Sequence, residues 1–454
     1  MFVDRSALLQ PNPPQLNYGV AVTDVDADGA FELFVAGFGF RNRAYKWTGN
    51  ALVDVASDML ADEKRRAIGV AAADIDSDGR EEIYVLNTDT FAGAKQFADR
   101  LFAYGDTGWR DLFGLPENTA SLNLTAGRSV AAVDRYGSGH YGFIVANYGG
   151  PMRLYEVDAD GYVRDVAAAA RVALTTGGRG LVSLPLVSGR MDIFAGNENG
   201  PNFLFRNNAD GSFTEVAGQL GIDDPFENVR GIAPLDANGD GLFDLAYGNW
   251  EGPHRLFVQS SDGLWDDTAP AVMAQPSRVR TVIAADFNND GYEELFFNNI
   301  GEPNRLFAQK DGTWSQVDIG DALEVNGLGT GAAIGDFDGD GRLELLISHG
   351  ESGLQPLTYY HTPQNGNNYL RVLPLTPYGA PARGAIVTLQ GQQRIQRRAI
   401  DAGSGYLCQM EPVAHFGLGT DSSVRYVDVR WPDGKTLRLD APQINQMLRV
   451  PYPV

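Results

Sequence analysis

Apolar residues in this chain come in short runs, and the polar residues between them recur in a fixed order. A run of small residues, as in Gly19-Val20-Ala21-Val22, Gly69-Val70-Ala71-Ala72 and Thr281-Val282-Ile283-Ala284, leads into an acidic loop. A bulkier run leaves it, as in Glu32-Leu33-Phe34-Val35, Glu82-Ile83-Tyr84-Val85 and Glu294-Leu295-Phe296-Phe297. A third run opens on arginine, at Arg100-Leu101-Phe102, Arg153-Leu154-Tyr155, Arg255-Leu256-Phe257 and Arg305-Leu306-Phe307. Asp-Gly pairs follow at 160–161, 210–211, 262–263 and 311–312, and then a fourth run such as Phe213-Thr214-Glu215-Val216. Short runs rich in β-branched and aromatic residues, bounded by Gly and Asp, read as strands. The acidic loops begin at 24, 74, 134, 184, 236, 286 and 336, close to every 50 residues. A fixed period of this size marks a repeated supersecondary unit. Four strands per unit, seven times over, predict an all-β fold with a seven-bladed β-propeller.

The ends of the repeat region predict how the ring closes. Phe2-Val3-Asp4 reads as a fourth strand, because Asp4 precedes Asp24 by the same interval as Asp54 precedes Asp74. The seventh repeat has no fourth run after Leu357-Thr358-Tyr359-Tyr360. The N-terminal strand is expected to complete the last blade, leaving no open sheet edge. The second repeat is longer than the others, and its extra residues fall between Asn87 and Asp99. A surface insertion of this kind often carries recognition. The propeller is assigned to residues 1–364. Residues 365–454 read as a second, small β-sandwich-like domain, with strands at Tyr369-Leu370-Arg371-Val372, Ala385-Ile386-Val387-Thr388-Leu389 and Val427-Asp428-Val429-Arg430-Trp431.

The loops carry the chemistry. In the last one, Asp336, Asp338, Asp340 and Glu344 stand at positions 1, 3, 5 and 9, with Gly341 at 6. The same set is Asp24, Asp26, Asp28 and Glu32 in the first repeat and Asp74, Asp76, Asp78 and Glu82 in the second. It is Asp236, Asn238, Asp240 and Asp244 in the fifth, and Asp286, Asn288, Asp290 and Glu294 in the sixth. Alternating oxygen donors around a tight glycine turn suit a hard cation, calcium above all. A helix-loop-helix calcium site would place its last acid at position 12, which here is Ile347, and the loop runs into strand-like residues instead. About five calcium ions are expected. The loop at Asp134 has Tyr136, Ser138 and Gly142 at ligand positions, and the one at Leu184 keeps only Gly189 and Asp192. Both are expected to be empty.

The net charge of −22 argues against nucleic acid as a partner. Residues 365–454 hold ten Lys/Arg and six Asp/Glu, a net of +4, which leaves −26 for the ring. Opposite signs favour docking of the small domain on the large one. The single cysteine, Cys408, excludes an internal disulfide and reads as a small buried residue. No apolar run is long enough to span a membrane. Millimolar calcium outside cells points to secretion, although Met1-Phe2-Val3-Asp4-Arg5 does not read as a signal peptide.

The seven loops resemble FG-GAP/VCBS repeats of integrin-type propellers. The C-terminal segment resembles the ASPIC/UnbV domain through Ala402-Gly403-Ser404-Gly405-Tyr406-Leu407-Cys408-Gln409, His415-Phe416-Gly417-Leu418-Gly419 and Val429-Arg430-Trp431-Pro432-Asp433-Gly434-Lys435. The two regions stand in the order of the cartilage acidic protein family, and the lack of a cysteine-rich module after them fits a bacterial-type member. The resemblance implies calcium held at loop positions 1, 3, 5 and 9 and by a backbone carbonyl at 7. It also implies secreted binding or adhesion roles, and it supplies no catalytic residue. An enzyme acting on glycans, a lyase or hydrolase, is the alternative, but the carboxylates outside the loops form no acid–base set.

Recognition of a protein or glycan partner is expected on the face opposite the calcium loops. There Asn87, Asn147, Asn197, Asn249 and Asn298 follow the second strands, near Phe38, Phe40, Tyr148 and Trp250. Phe38, Asn87, Tyr148 and Trp250 are the candidate contacts. The asparagines have a second reading, as caps for local backbone groups. The five histidines, at 140, 254, 349, 361 and 415, show no metal-ligand spacing. The oligomeric state is left open.

Overall fold

A computed structural model describes residues 1–453 apart from 106, 311 and 404. The Asp-Gly turn expected at 311–312 and the serine of the 402–409 motif therefore each include a residue outside those described.

The chain folds as a seven-bladed β-propeller with a small two-sheet β domain. The fifth blade shows the pattern: Val229–Leu235, Asp244–Asn249, Arg255–Gln259 and Trp265–Asp267 pair in that order, each antiparallel to the next. The innermost strands are rich in Gly, Ala and Val because seven of them crowd around one axis. In the seventh blade Val3–Asp4 pairs antiparallel with Thr358–His361, Val3 opposite His361 and Asp4 opposite Tyr360. Phe2 is carried beneath this strand against Phe287, with ring centroids 5.0 Å apart. Blades three and four are also tied directly, because Gly142–Pro151 continues past its own blade to pair with Thr175–Leu184.

The arginine that opens the third strand and an aspartate on the fourth form a repeated clip. Arg43 pairs with Asp54 at 2.9 Å, Arg100 with Asp111 at 2.6 Å, Arg153 with Asp165 at 2.6 Å and Arg255 with Asp267 at 3.1 Å. The other oxygen of each aspartate accepts backbone N–H bonds, as Asp54 does from Ala44 and Ala56. The Arg43 clip is buried, whereas those of Arg100, Arg153 and Arg255 are partly solvated and contribute modestly; each joins the third strand to the fourth at the rim of its blade.

The small domain packs a sheet of Ala414–Gly419, Asn368–Pro374 and Met447–Val450 on one of Ile395–Ala399, Ile386–Gln390, Tyr426–Arg430 and Thr436–Asp440. Leu370, Val387, Phe416, Val427 and Trp431 are buried between them. This domain covers the acidic-loop face of the ring. Arg371 pairs with Asp336 at 2.9 Å, Arg398 with Glu293 at 3.2 Å, and Arg383 with Glu81 at 2.5 Å. Its basic side thus meets acids in or beside the loops.

Candidate metal loops and the arginine cavity

The five intact loops share one scaffold. The first acid accepts the N–H of the glycine at position 6, from Gly29 to Asp24, Gly79 to Asp74, Gly241 to Asp236, Gly291 to Asp286 and Gly341 to Asp336, at 2.7–3.1 Å. The ninth accepts the N–H of position 2, as Val25 donates to Glu32 and Phe337 to Glu344. The second oxygen is bonded in some loops, as Asp244 accepts from Gln259 and Glu294 from Asn288, and left without a donor in others. Oε1 of Glu32, Glu82 and Glu344 and Oδ1 of Asp336 are buried without a hydrogen-bond partner. Burial and the neighbouring carboxylates push Glu32 up to about 8 and Asp74 up to about 7. Buried acceptors massed without donors are unstable by themselves, and a divalent cation satisfies them, so the donor set fits calcium. Donor oxygens of Asp24, Asp26 and Glu32, of Asp74, Asp76 and Asp78, and of Asp336, Asp338 and Asp340 lie within 4.8 Å of one another. The loops differ in their surroundings. In the first, the Lys46 ammonium reaches Asp26 at 2.5 Å and Asp28 at 2.6 Å. In the seventh, His361 stands 3.6 Å from Glu344.

The two altered loops are satisfied from within. One oxygen of Asp192 accepts N–H bonds from Leu186, Val187 and Ser188, and the other accepts from Asn207. Asp134 accepts from Tyr136, Gly137 and Gly139, and Arg190 covers the Tyr136 carbonyl. Asp244 of the fifth loop accepts comparable bonds from Ala237 and Gln259, so what sets the two altered loops apart is the loss of their other carboxylates.

The motif at 402–409 enters the ring. Its backbone joins the inner edges of the blades: Ala132 donates to the Ala402 carbonyl, Gly405 to Ile232, Val70 to Leu407 and Gln409 to Val20. The Gln409 side chain bonds both backbone groups of Ala72. Glycine is required at 403, where φ is +135° and a Cβ would stand 2.6 Å from that of Ala131. Cys408 is buried among these strands, accepting the Val20 N–H, and burial pushes its thiol up to about 12.

Tyr406, at the tip of this segment, meets four arginines that sequence reasoning missed. Arg128, Arg179, Arg230 and Arg280 each stand on an inner strand five or six residues before the loop position 1 of their own repeat. At ~3.3 Å per strand residue, they sit roughly 17–20 Å from the loops, at the far mouth of the ring. Together with Tyr18, Phe38, Phe91 and Trp250 they line a cavity of about 510 Å³. Arg280 lies 4.2 Å from the Trp250 ring, and Arg179 lies 4.7 Å from that of Tyr148. Glu198 pairs with Arg179 and, at 3.3 Å, with Arg230; Glu351 pairs with Arg280. Among the described residues Arg128 has no ion-pair partner, and its buried Nε is unbonded, as is that of Arg230. Burial and the neighbouring Arg179 bring Arg230 down to about 10. Burial opposes ionisation of Tyr406, yet Arg179, Arg280, Arg230 and Arg128 hold its hydroxyl below the usual range.

Of the expected partner contacts, Phe38 and Trp250 line this cavity, and Tyr148 packs on its arginines. Asn87 does not reach it, being fully buried beside Lys95 and Asp99. The other asparagines are turn-holders: Asn147, Asn197 and Asn249 donate to the carbonyls of Pro151, Pro201 and Pro253. In the sixth blade this role falls to Asn299, bonded to Pro303, and not to Asn298. The insertion brings Thr88, Asp89, Thr90 and Phe91 to the cavity wall, with Phe91 64% exposed.

The FG-GAP-like repeat family matches residues 24–85, 188–247, 236–297 and 286–347, and the ASPIC and UnbV family matches 376–454. Cartilage acidic protein 1 of Homo sapiens is 48% identical, over 97% of this chain and 73% of its own length. Its counterpart from Mus musculus is 48% identical over 97% and 75%. Among solved structures, the BP39L lectin from Burkholderia pseudomallei has a TM-score of 0.51 at 12% identity, covering 77% of this chain and 99% of that one, a likeness of fold alone.

Proposed function

From the premise that the chain belongs to the cartilage acidic protein family, as FG-GAP repeats followed by an ASPIC/UnbV domain, we propose that it is a calcium-stabilised extracellular binding protein. It engages a protein or glycan partner with the open face of its propeller. One observation carries the reading. The small domain covers the loop face, while the opposite mouth keeps an open cavity rimmed by Phe38, Phe91 and Trp250. Aromatic anchors around a concave site commonly dominate recognition. Calcium has a structural role: it neutralises the loop carboxylates that join first to second strands, and it takes no part in contact with the partner. Relatives named for cartilage support an extracellular setting, and their name denotes no reaction.

A protein and glycan array, probed with calcium and with chelator, tests this reading. Binding of a discrete set of ligands is expected, lost in W250A and Y148A while the melting curve holds. Unchanged affinity in both variants would place recognition elsewhere.

A further inference from the structure

The cavity has features that go beyond a generic binding face. Four guanidiniums converge at the axis of a protein whose net charge is −22. Folding such a cluster is costly, since like charges repel and each arginine gives up water. Nothing in the scaffold needs it: the equivalent positions in the first, second and seventh repeats are Tyr18, Ile68 and Thr330. The carboxylates present leave it undercompensated. Glu198 is shared between Arg179 and Arg230, Glu351 serves Arg280, and Asp89 turns to the Gln96 N–H. Arg230 is 4% exposed, its Nε is unbonded, and Arg128 brings a second unbonded Nε. Guanidinium N–H groups in fixed forks match planar or tetrahedral oxyanions.

We propose that this cavity binds the acidic terminal sugar of a glycan, a carboxylated or sulfated monosaccharide unit. The proposal rests on the reading of the open face as a recognition surface and names the ligand chemistry. Three features select a sugar end. Tyr406 and the segment behind it close the floor, so a ligand enters by its end and cannot thread through. The cavity volume of about 510 Å³ suits a small ligand. The wall offers aromatic faces at Trp250 and Phe91 for a sugar's C–H surface, and Glu198 and Glu351 accept bonds from its hydroxyls. A long polyanion would meet the acidic body around the cavity and be repelled, which favours one acidic unit over a charged chain.

The test is calorimetric titration of the full chain in calcium. The probes are N-acetylneuraminic acid, glucuronic acid and galactose 6-sulfate, with galactose, sodium sulfate and a peptide ending in free glutamate as comparators. At least one acidic sugar is expected to bind ten-fold or more tightly than galactose and sulfate, and to quench Trp250 fluorescence. R128Q and R230Q should each weaken it ten-fold or more, and R128K should restore charge without full affinity. All variants should melt within a few degrees of the parent; if R230Q does not fold, R128Q alone decides. Sulfate matching the sugars, the peptide binding in their place, or an affinity indifferent to R128Q would each overturn the assignment. A chain that still captures array partners through Trp250 but ignores every acidic sugar fails the ligand class and leaves the binding function standing.

Discussion

Replacing Arg383 with Met should separate the two domains energetically. The Arg383 side chain is fully buried where the small domain meets the ring. Its Nε and Nη2 bond Glu81 at 2.5 and 3.1 Å, its Nη2 also reaches the Val22 carbonyl at 3.1 Å, and its Nη1 reaches that of Asp401 at 2.7 Å. Without the guanidinium, Glu81 keeps the Thr23 hydroxyl at 2.8 Å as its hydrogen-bond donor among the described residues. Breaking a buried ion pair by removing one partner costs about 3–5 kcal/mol. Loss of the bond to the Val22 carbonyl adds about 1 kcal/mol. The loss is therefore a large share of a domain stability of ~5–15 kcal/mol. Removing both charges in E81Q/R383M should return part of it, because no bare carboxylate stays buried. Chemical unfolding in saturating calcium measures this through the midpoint at constant slope, and the four-member cycle isolates the coupling. A loss under about 1 kcal/mol for R383M, or a double variant that merely sums the single losses, would refute a docked interface held by this pair.

Three further outcomes follow from particular contacts. His254 is buried, accepts the Asn249 N–H on Nδ1, and is brought down to about 3 by burial and by Arg305. The unfolded chain takes up that proton as pH falls through 6.5 while the folded chain does not, so stability is full above 6.5 and declines toward 3. The decline is about 2 kcal/mol by pH 5. Asn42, Asn202 and Asn304 accept the same backbone bond in other blades, so H254N should fold and flatten this acid limb of the melting profile. K46M removes the ammonium that pairs with Asp26 and Asp28, and calorimetry should then show one calcium site tightened by roughly ten-fold, about 1.4 kcal/mol. G403A meets both a left-handed φ and Ala131, and should lower stability by about 1–3 kcal/mol in thermal melts.

The ring was legible because its signal is local and repeated. An acid at positions 1, 3, 5 and 9 around Gly341 announces the loop, and apolar runs on either side announce the strands it joins. The path of 402–409 was not legible, because Gln409 pairs with Val20 and Ala72, hundreds of residues away, and no spacing encodes such a contact. The arginine ring leaves a trace in the sequence, five or six residues before Asp134, Leu184, Asp236 and Asp286. It was obscured because Tyr18, Ile68 and Thr330 share the offset without the charge. In the sixth blade the doublet Asn298-Asn299 fits either register, and the bulge between Val279 and Val282 sets Asn299 opposite Val279. For Asn87, position after a second strand does not report burial, which here comes with Lys95 and Asp99 bonding its backbone groups from further along the insertion.

The claim on which the rest stands is that calcium holds the ring together. For a site dissociation constant near ~1 mM in ~10 mM calcium, linkage gives about 1.4 kcal/mol per site. The measurement is elemental analysis of the purified chain, paired with thermal melts in 10 mM calcium and in excess chelator. The account predicts about five calcium ions per chain, one for each intact loop, a melting temperature that falls sharply in chelator, and one ion fewer in D336A/D340A. A chain shown to be free of metal that melts at the same temperature as the calcium-loaded one would contradict it.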